Sequence, residues 1–268
     1  MKISFIGGGN MAKAIIGGLK NNGFNTEKIT VIELDPEKRV QLSKEFSVQT
    51  SADYIDVSNT DVIILAVKPQ QLREVCSLLL PILSTQLVIS IAAGIRSQDI
   101  SRWLDGYKSI VRVMPNTPAQ IQAGVSALYT DASLSQVQRD RAATIMMAVG
   151  KILWLDDEAK MDAVTAISGS GPAYVFYLIE ALQDAAVGLG LKAEDARMLA
   201  LQTFAGASLL AAQSNEDIQT LRAQVTSKGG TTEQGILALE AANIKSAIMT
   251  AAKAAAEKSV LLGDQLGA

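Results

Sequence analysis

The sequence predicts an α/β protein in two parts: an N-terminal domain built on a parallel β-sheet, then an all-α C-terminal domain. Two observations carry this. Short β-branched runs alternate with helical patterns up to about residue 155, and after Asp156 the pattern is helical almost throughout. Strands separated by helices of about 10–15 residues imply crossover connections, hence a parallel sheet. The expected domains are 1–155 and 156–268, joined without a low-complexity linker and without a fixed-period repeat.

The expected strands, in order, are "KISFIG", "ITVIEL", "DVIILAV", "QLVISIAAG" and "SIVRVMP", with "GVSALYT" and "KILWLD" as late additions. The helical half contains "EDARMLALQTFAGASLLAAQ" and "NIKSAIMTAAKAAAEKSVLL". Its alanine content and shortage of large side chains favour close helix packing over an independent globule.

Composition narrows the function. At 268 residues the chain can form two lobes or one large α/β domain, either with a sizeable core. Hydrophobic residues make up 49% and aromatic ones 4%, so that core is aliphatic. A formal net charge of −3 and the lack of a basic run argue against a nucleic-acid partner. A single cysteine cannot form an internal disulfide, which fits a reducing compartment. That residue, Cys76, lies in the apolar helix "LREVCSLLLPIL" and is expected to pack in the core. "MKISFIG" runs straight into a strand, so no signal peptide is expected. The uncharged stretch from Ala163 to Ile179 is interrupted by "SGSGP" and flanked by acids, which suits a buried helix and no membrane span. The expectation is a soluble, cytoplasmic protein.

The first strand ends in "IGGGNMAKA", which fits G-x-G-x-x-A through Gly7, Gly9 and Ala12, with Gly8, Asn10 and Met11 between them. Gly7 allows the tight turn, Gly9 lets the backbone approach a pyrophosphate, and Ala12 lets helix and strand pack closely. A glycine run alone would also suit an ordinary turn. Placed directly after a strand and opening an amphipathic helix, it marks a Rossmann-type, dinucleotide-binding domain. Glu33 closes the second strand; an acid there takes the ribose hydroxyls of NADH and repels a 2′-phosphate. Lys38 and Arg39, just inside the next helix, suit either a 2′-phosphate of NADPH or a solvated helix face. These residues alone favour NADH slightly.

Later strand ends point to the same crevice. "AVKP" (Ala66, Val67, Lys68, Pro69) closes the "DVIILAV" strand, with Pro69 holding Lys68 out of helical conformation. "AAG" (Ala92, Ala93, Gly94) closes the next, and "MPNTP" holds Asn116 between two prolines after the one beyond. Loops at the carboxyl ends of parallel strands line the ligand crevice of open sheets. Lys68 also suits a plain solvent-facing strand end, whereas Asn116 reads as a cofactor-facing amide.

Far down the chain, "SKGGTTEQG" (Ser227–Gly235) reads as the exposed start of a helix. Unpaired N–H groups and the positive dipole end suit an anion there. A capped helix start, with Thr226 or Ser227 as the cap, is the simpler reading of that stretch in isolation.

The chain contains no histidine. That removes histidine-based alcohol oxidation, Ser-His and Cys-His triads, and histidine metal sites; no metal is expected. β-Hydroxyacid dehydrogenases use a helix-borne lysine after a glycine-rich turn, and "SGSGPAYVFYLIEAL" carries no lysine.

Taken together, "FIGGGNMAKAIIGGL", "AVKP", "SIAAG", "MPNTP", "SGSGPAY" and "VTSKGGTTEQGILALE" resemble pyrroline-5-carboxylate reductase, in order along nearly the whole chain. The resemblance implies reduction of pyrroline-5-carboxylate to proline, the last step of proline biosynthesis. It implies NADPH as the bound cofactor with NADH as the alternative, and a homodimer through swapped C-terminal helices that assembles further, often to a decamer. It also implies that Ser227, Gly229, Gly230, Thr231 and Thr232 hold the substrate. In that scheme backbone N–H groups around Gly230, Thr231 and Thr232 bind its carboxylate, and the Thr232 hydroxyl serves the ring nitrogen catalytically. Two departures stand out: Lys228 replaces a usual proline, and Glu216-Asp217-Ile218 replaces a usual Glu-His-Pro. A related imine or β-hydroxyacid reductase, or a non-catalytic dinucleotide sensor, is the alternative reading.

Overall fold

The computed structural model describes residues 1–131 and 134–268. Among these the chain divides into two compact units, Met1–Ser170 together with Ala254–Ala268, and Gly171–Lys253.

The first unit is built on an eight-stranded sheet: β1 (Ile3–Ile6), β2 (Ile29–Ile32), β3 (Gln49–Ser51), β4 (Val62–Leu65), β5 (Leu87–Ser90), β6 (Ile110–Met114), β7 (Gly124–Tyr129) and β8 (Gly150–Trp154). Their spatial order is β3-β2-β1-β4-β5-β6-β7-β8. β1 pairs in parallel with both β2 and β4, Ile3 lying opposite Ile29 on one side and Val62 on the other. The strand that the sequence runs leave unnamed is the short β3, which pairs parallel to β2.

β1, β4 and β5 are buried along their whole length, which is why they read as nearly continuous apolar runs, broken only by the buried Ser4 and Ser90, rather than alternating ones. Each face has its own core. Val62 and Ile64 point to the face with Ile15, Ile16, Leu42 and Ile145; Ile63 and Leu65 point to the face with Leu72, Cys76, Leu79 and Ile100.

The sheet is not parallel throughout: β7 runs antiparallel to β6, with Met114 opposite Ala127. The segment between them, 115–123, is shorter than the dozen or more residues a crossover requires. β8 is again parallel to β7, because α5 (Gln136–Met147) supplies that crossover.

Helix α1 (Asn10–Asn21) follows β1 and buries Ala12, Ile15, Ile16 and Leu19. Gly18 lets it approach the α5–β8 turn, since a Cβ there would stand 2.4 Å from the Ala148 carbonyl oxygen. Helix α2 (Pro36–Phe46) starts on Asp35, whose carboxylate accepts from the Glu37 and Lys38 N–H groups, with Pro36 in the first turn. On the other face lie α3 (Leu72–Leu79) and α4 (Ser97–Trp103). Cys76, on α3, is fully buried, as expected. Helix α6 (Lys160–Val164) continues into a wide turn over Thr165–Gly169.

The second unit contains α7 (Gly171–Gly188), α8 (Ala193–Gln213), α9 (Ile218–Gln224) and α10 (Thr231–Ala241). The last helix, α11 (Ile244–Gly267), begins in this unit and ends in the first. α7 packs against α8, which buries Ala196 and Ala200, yet no residue of α7 or α10 is buried. Among the described residues, no helix is long and apolar enough to cross a membrane.

Candidate cofactor and substrate sites

The strand order reverses at β1, with β2 on one side and β4 on the other, and connections leave in opposite directions at such a point to open a crevice at the strands' carboxyl ends. The glycine turn after β1 and the Ala66–Pro69 turn after β4 both lie there. Gly7 has φ +98°, and a Cβ on it would stand 2.8 Å from the Ala66 carbonyl oxygen. Its N–H donates to the Ile32 carbonyl at 2.8 Å. Only glycine satisfies both the conformation and the clearance. Gly9 caps α1 with no side-chain hydrogen bond, and a Cβ on it would meet nothing within 4 Å. The first N–H groups of α1 therefore lack a side-chain acceptor and open space lies beside them, which fits a pyrophosphate.

A groove of about 610 Å³ runs from this turn, lined by Gly7, Gly8, Gly9, Glu33, Lys38, Ala66, Val67 and Lys68 among others. The Glu33 carboxylate is bound at its rim: Oε2 accepts from the Gly8 N–H at 3.0 Å and Oε1 from the Asp35 N–H at 3.1 Å. The Lys38 ammonium stands 3.8 Å from the Asp35 carboxylate and is half exposed. Lys68 has extended geometry (φ −64°, ψ 147°), as expected before Pro69.

Other expected residues lie differently. Arg39 Nη1 donates to the Glu33 and Leu34 carbonyls at 2.7 and 2.9 Å, and the residue lines a neighbouring hollow with Ser43 and Thr50. Asn10 belongs to a polar hollow with Lys13 and Glu45, and Met11 packs against the core. Pro69 opens the short turn beyond Lys68. Ala92 is buried, and Gly94, with φ +82°, lies against Leu262 and Gly263 of α11. The Asn116 side-chain oxygen accepts from the Val125 N–H at 2.9 Å, bracing the β6–β7 connection.

Sequence reasoning missed the groove's other wall: Tyr54, Gln71, Glu74, Val75 and Leu78. Val75 and Leu78 give it an apolar surface suited to a flat ring. Burial, with Glu74 and Glu33 adding to it, pushes the Tyr54 phenol above its ordinary range, so it stays neutral at physiological pH. For four of these positions the signal was adjacency, since Gln71 to Leu78 follow "AVKP" directly; Tyr54 had no such signal.

In the second unit, α10 starts on Gly230 in extended geometry (φ −86°, ψ 171°) with no side-chain cap. Gly229 takes φ +76°, and the Gly230 N–H turns back to the Ser227 carbonyl at 3.0 Å. Thr226 donates its hydroxyl to the Arg222 carbonyl and Ser227 makes no cap, so neither plays the capping role that an ordinary helix start would assign it. Glu233 reaches back to accept from the Gly229 N–H at 2.7 Å. The helix geometry leaves the Thr231, Thr232 and Glu233 N–H groups without intrahelical acceptors. Both threonines are exposed. Asp217 caps α9 by accepting from the Thr220 N–H at 2.7 Å. Among the described residues, no cluster of acids and cysteine could hold a metal ion.

Two family models match the chain: "Pyrroline-5-carboxylate reductase dimerisation" over residues 158–262 and "NADP oxidoreductase coenzyme F420-dependent" over residues 2–94. A pyrroline-5-carboxylate reductase of Pseudomonas aeruginosa is 43% identical, with 99% of this chain and 98% of that protein covered. Among solved structures, a pyrroline-5-carboxylate reductase from Coxiella burnetii superposes with TM-score 0.93 at 42% identity, covering 97% of this chain and 98% of that one. A pyrroline carboxylate reductase of Plasmodium falciparum with NADP bound gives 0.88 at 32% identity, covering 98% of each chain.

Proposed function

The chain belongs to the pyrroline-5-carboxylate reductase family, and we propose that its two glycine-capped helix starts, at α1 and α10, divide the work of that activity. The protein is an NAD(P)H-dependent oxidoreductase that reduces 1-pyrroline-5-carboxylate to L-proline, the last step of proline biosynthesis.

The observation that carries the assignment of roles is that Gly9 and Gly230 each start a helix without any side-chain cap. One start faces the groove at the sheet's switch point and takes the dinucleotide pyrophosphate. The other takes the substrate carboxylate on the Thr231 and Thr232 N–H groups. Residues 1–155 thus serve as the cofactor domain and 156–268 as the helical dimerisation and substrate domain, a division supported by the dimerisation model's match from residue 158.

NADPH is the preferred cofactor in this reading, with Lys38 beside its 2′-phosphate, and NADH also works. Lys38 lines the groove and is held only by a 3.8 Å ion pair, whereas Arg39 is committed to two carbonyls.

Bound nicotinamide supplies a hydride to the carbon of the substrate C=N bond. The chain's residues position the ring, exclude water and hold the nitrogen, which arrives protonated and leaves as the proline amine. The Thr232 hydroxyl orients that N–H. Neither step demands a histidine base, in keeping with the chain's composition.

The assembly is a homodimer at least, in which "GGTT" of one protomer completes the cofactor groove of its partner, and five dimers form a decamer. The lack of any buried residue on α7 and α10 supports the dimer contact. A cytoplasmic location agrees with the buried, unpaired Cys76. Steady-state oxidation of NADPH and NADH on adding pyrroline-5-carboxylate tests the whole reading; a protein that binds NADPH and never turns over would sink it.

A further inference from the structure

The last turns of α11 lie on the loop that follows β5. Ser259, Gly263 and Gly267 are the buried residues of this helix, spaced four apart and so on one face. A Cβ on Gly263 would stand 2.8 Å from the Gly94 carbonyl oxygen, so helix and loop meet backbone to backbone. Gly94 also needs its positive φ of +82°.

Polar anchors surround this contact. Arg96, two residues beyond Gly94, pairs with Asp264 at 2.6 Å. Arg102 donates to the Gly267 carbonyl, and Arg73 to the Ala268 carbonyl at 3.0 Å. Three arginines thus gather at a helix C-terminus, where the dipole favours cations. Ser259 donates to Asp162 at 2.6 Å, and Leu266 packs on the core face that holds Cys76. Downstream of the loop, Glu158 accepts from the Ser97 N–H and hydroxyl at 2.7 and 2.6 Å and pairs with buried Arg112 at 3.0 Å.

A loop of two alanines and a glycine has few side-chain atoms with which to fix itself, and an unrestrained backbone would have to be ordered each time a ligand bound. We propose that the end of α11 is a strap that sets the Ala92–Gly94 backbone for the nicotinamide cofactor, with Gly263 and Arg96 as its positioning residues. This rests on the cofactor reading above, because the loop lies at the carboxyl end of a parallel strand.

The test uses the full-length chain without substrate. NADPH affinity is followed by nicotinamide fluorescence, and amide exchange of residues 92–96 is followed without cofactor. Gly263→Ala forces the Gly94 carbonyl to move; the expected result is a Kd raised about tenfold and faster exchange in the loop. Arg96→Ala should do the same and Arg96→Lys should recover much of the loss, which keeps the test open if Gly263→Ala does not fold. Ser259→Ala breaks an anchor away from the loop; it should lower Tm while leaving Kd within about twofold. An unchanged Kd in folded Gly263→Ala overturns the proposal, as does a Ser259→Ala Kd that rises equally at an equal loss of Tm. Because no substrate is present, a failed turnover assay counts against the assigned reaction and not against the strap.

Discussion

The Glu33 carboxylate accepts a hydrogen bond from the Gly8 N–H at 3.0 Å, so the acid that ends β2 is stapled to the glycine turn that ends β1. This places a negative charge on the rim of the groove that Lys38 also lines. A ribose 2′-hydroxyl tolerates that charge, and a 2′-phosphate is repelled by it.

Glu33→Ser is therefore expected to raise the NADPH-to-NADH ratio of kcat/KM by roughly tenfold, the equivalent of about 1.4 kcal/mol of relieved repulsion. NADH should also bind a little less well, because the Gly8 N–H loses its carboxylate acceptor and the ribose hydroxyls lose theirs. The ratio is the decisive readout. A ratio that stays put would mean that Glu33 does not approach the ribose.

The glycine turn, Glu33 and the Ala66–Lys68 turn were legible in the sequence because each depends on a local rule: a strand end, a tight turn, a residue before proline. The antiparallel β7 was not, since a β-branched run carries no direction; only the short 115–123 connection decides it. Tyr54, Glu74 and Leu78 were missed because they reach the groove from elements whose packing depends on the whole sheet. Asn116 was legible only in part. Its position between prolines suggested a ligand-facing amide, and the structure adds that its oxygen accepts from the Val125 N–H, a partner that no local pattern names. The contact of Gly94 with Gly263 spans most of the chain and had no local signal at all.

The helical half presents Phe176, Tyr177, Leu189 and Met249 to solvent, each more than 60% exposed. An exposed apolar surface of this kind marks an interaction face. Light scattering should report at least twice the 28.3 kDa chain mass. Phe176→Glu should shift the protein toward monomer and lower activity with it, as the proposed arrangement requires, in which the partner's α10 completes the site. A fully active monomer would refute the shared-site arrangement.

Burial pushes the Cys76 thiol from 9.0 up to about 12. Between those values the unfolded chain loses a proton that the folded chain keeps, so stability contributed by the neutral thiol is full below pH 9 and falls as pH rises toward 12. Cys76→Ala should cost about 1 kcal/mol at neutral pH and should then lose urea resistance less steeply than wild type between pH 8 and 10. Parallel pH curves for the two proteins would contradict a thiol held protonated by burial. In the folded protein, Cys76 should also react with thiol reagents only at the rate of unfolding.

The Thr232 hydroxyl is placed to separate catalysis from helix capping. α10 begins at Gly230 without a side-chain cap, and Thr232 is exposed in its first turn, so removing the hydroxyl should leave Tm nearly unchanged. If that hydroxyl orients the imine nitrogen, Thr232→Ala should lower kcat/KM for pyrroline-5-carboxylate by roughly 10- to 1,000-fold, the range for one active-site hydrogen bond. NADPH affinity should hold, because in the proposed division of roles the groove of the sheet unit carries the cofactor and Thr232 meets only the substrate. Thr232→Ser keeps the hydroxyl and should keep much of the activity. Thr231→Ala should matter less, since its part is played by the backbone N–H. The Glu233 contact to Gly229 gives an internal control: Glu233→Gln retains an acceptor for that N–H while removing a negative charge from beside the bound carboxylate, so KM should fall or hold while the helix start stays formed. A folded Thr232→Ala protein with wild-type kinetics would remove the threonine from the chemistry and leave the α10 start as a carboxylate cradle alone.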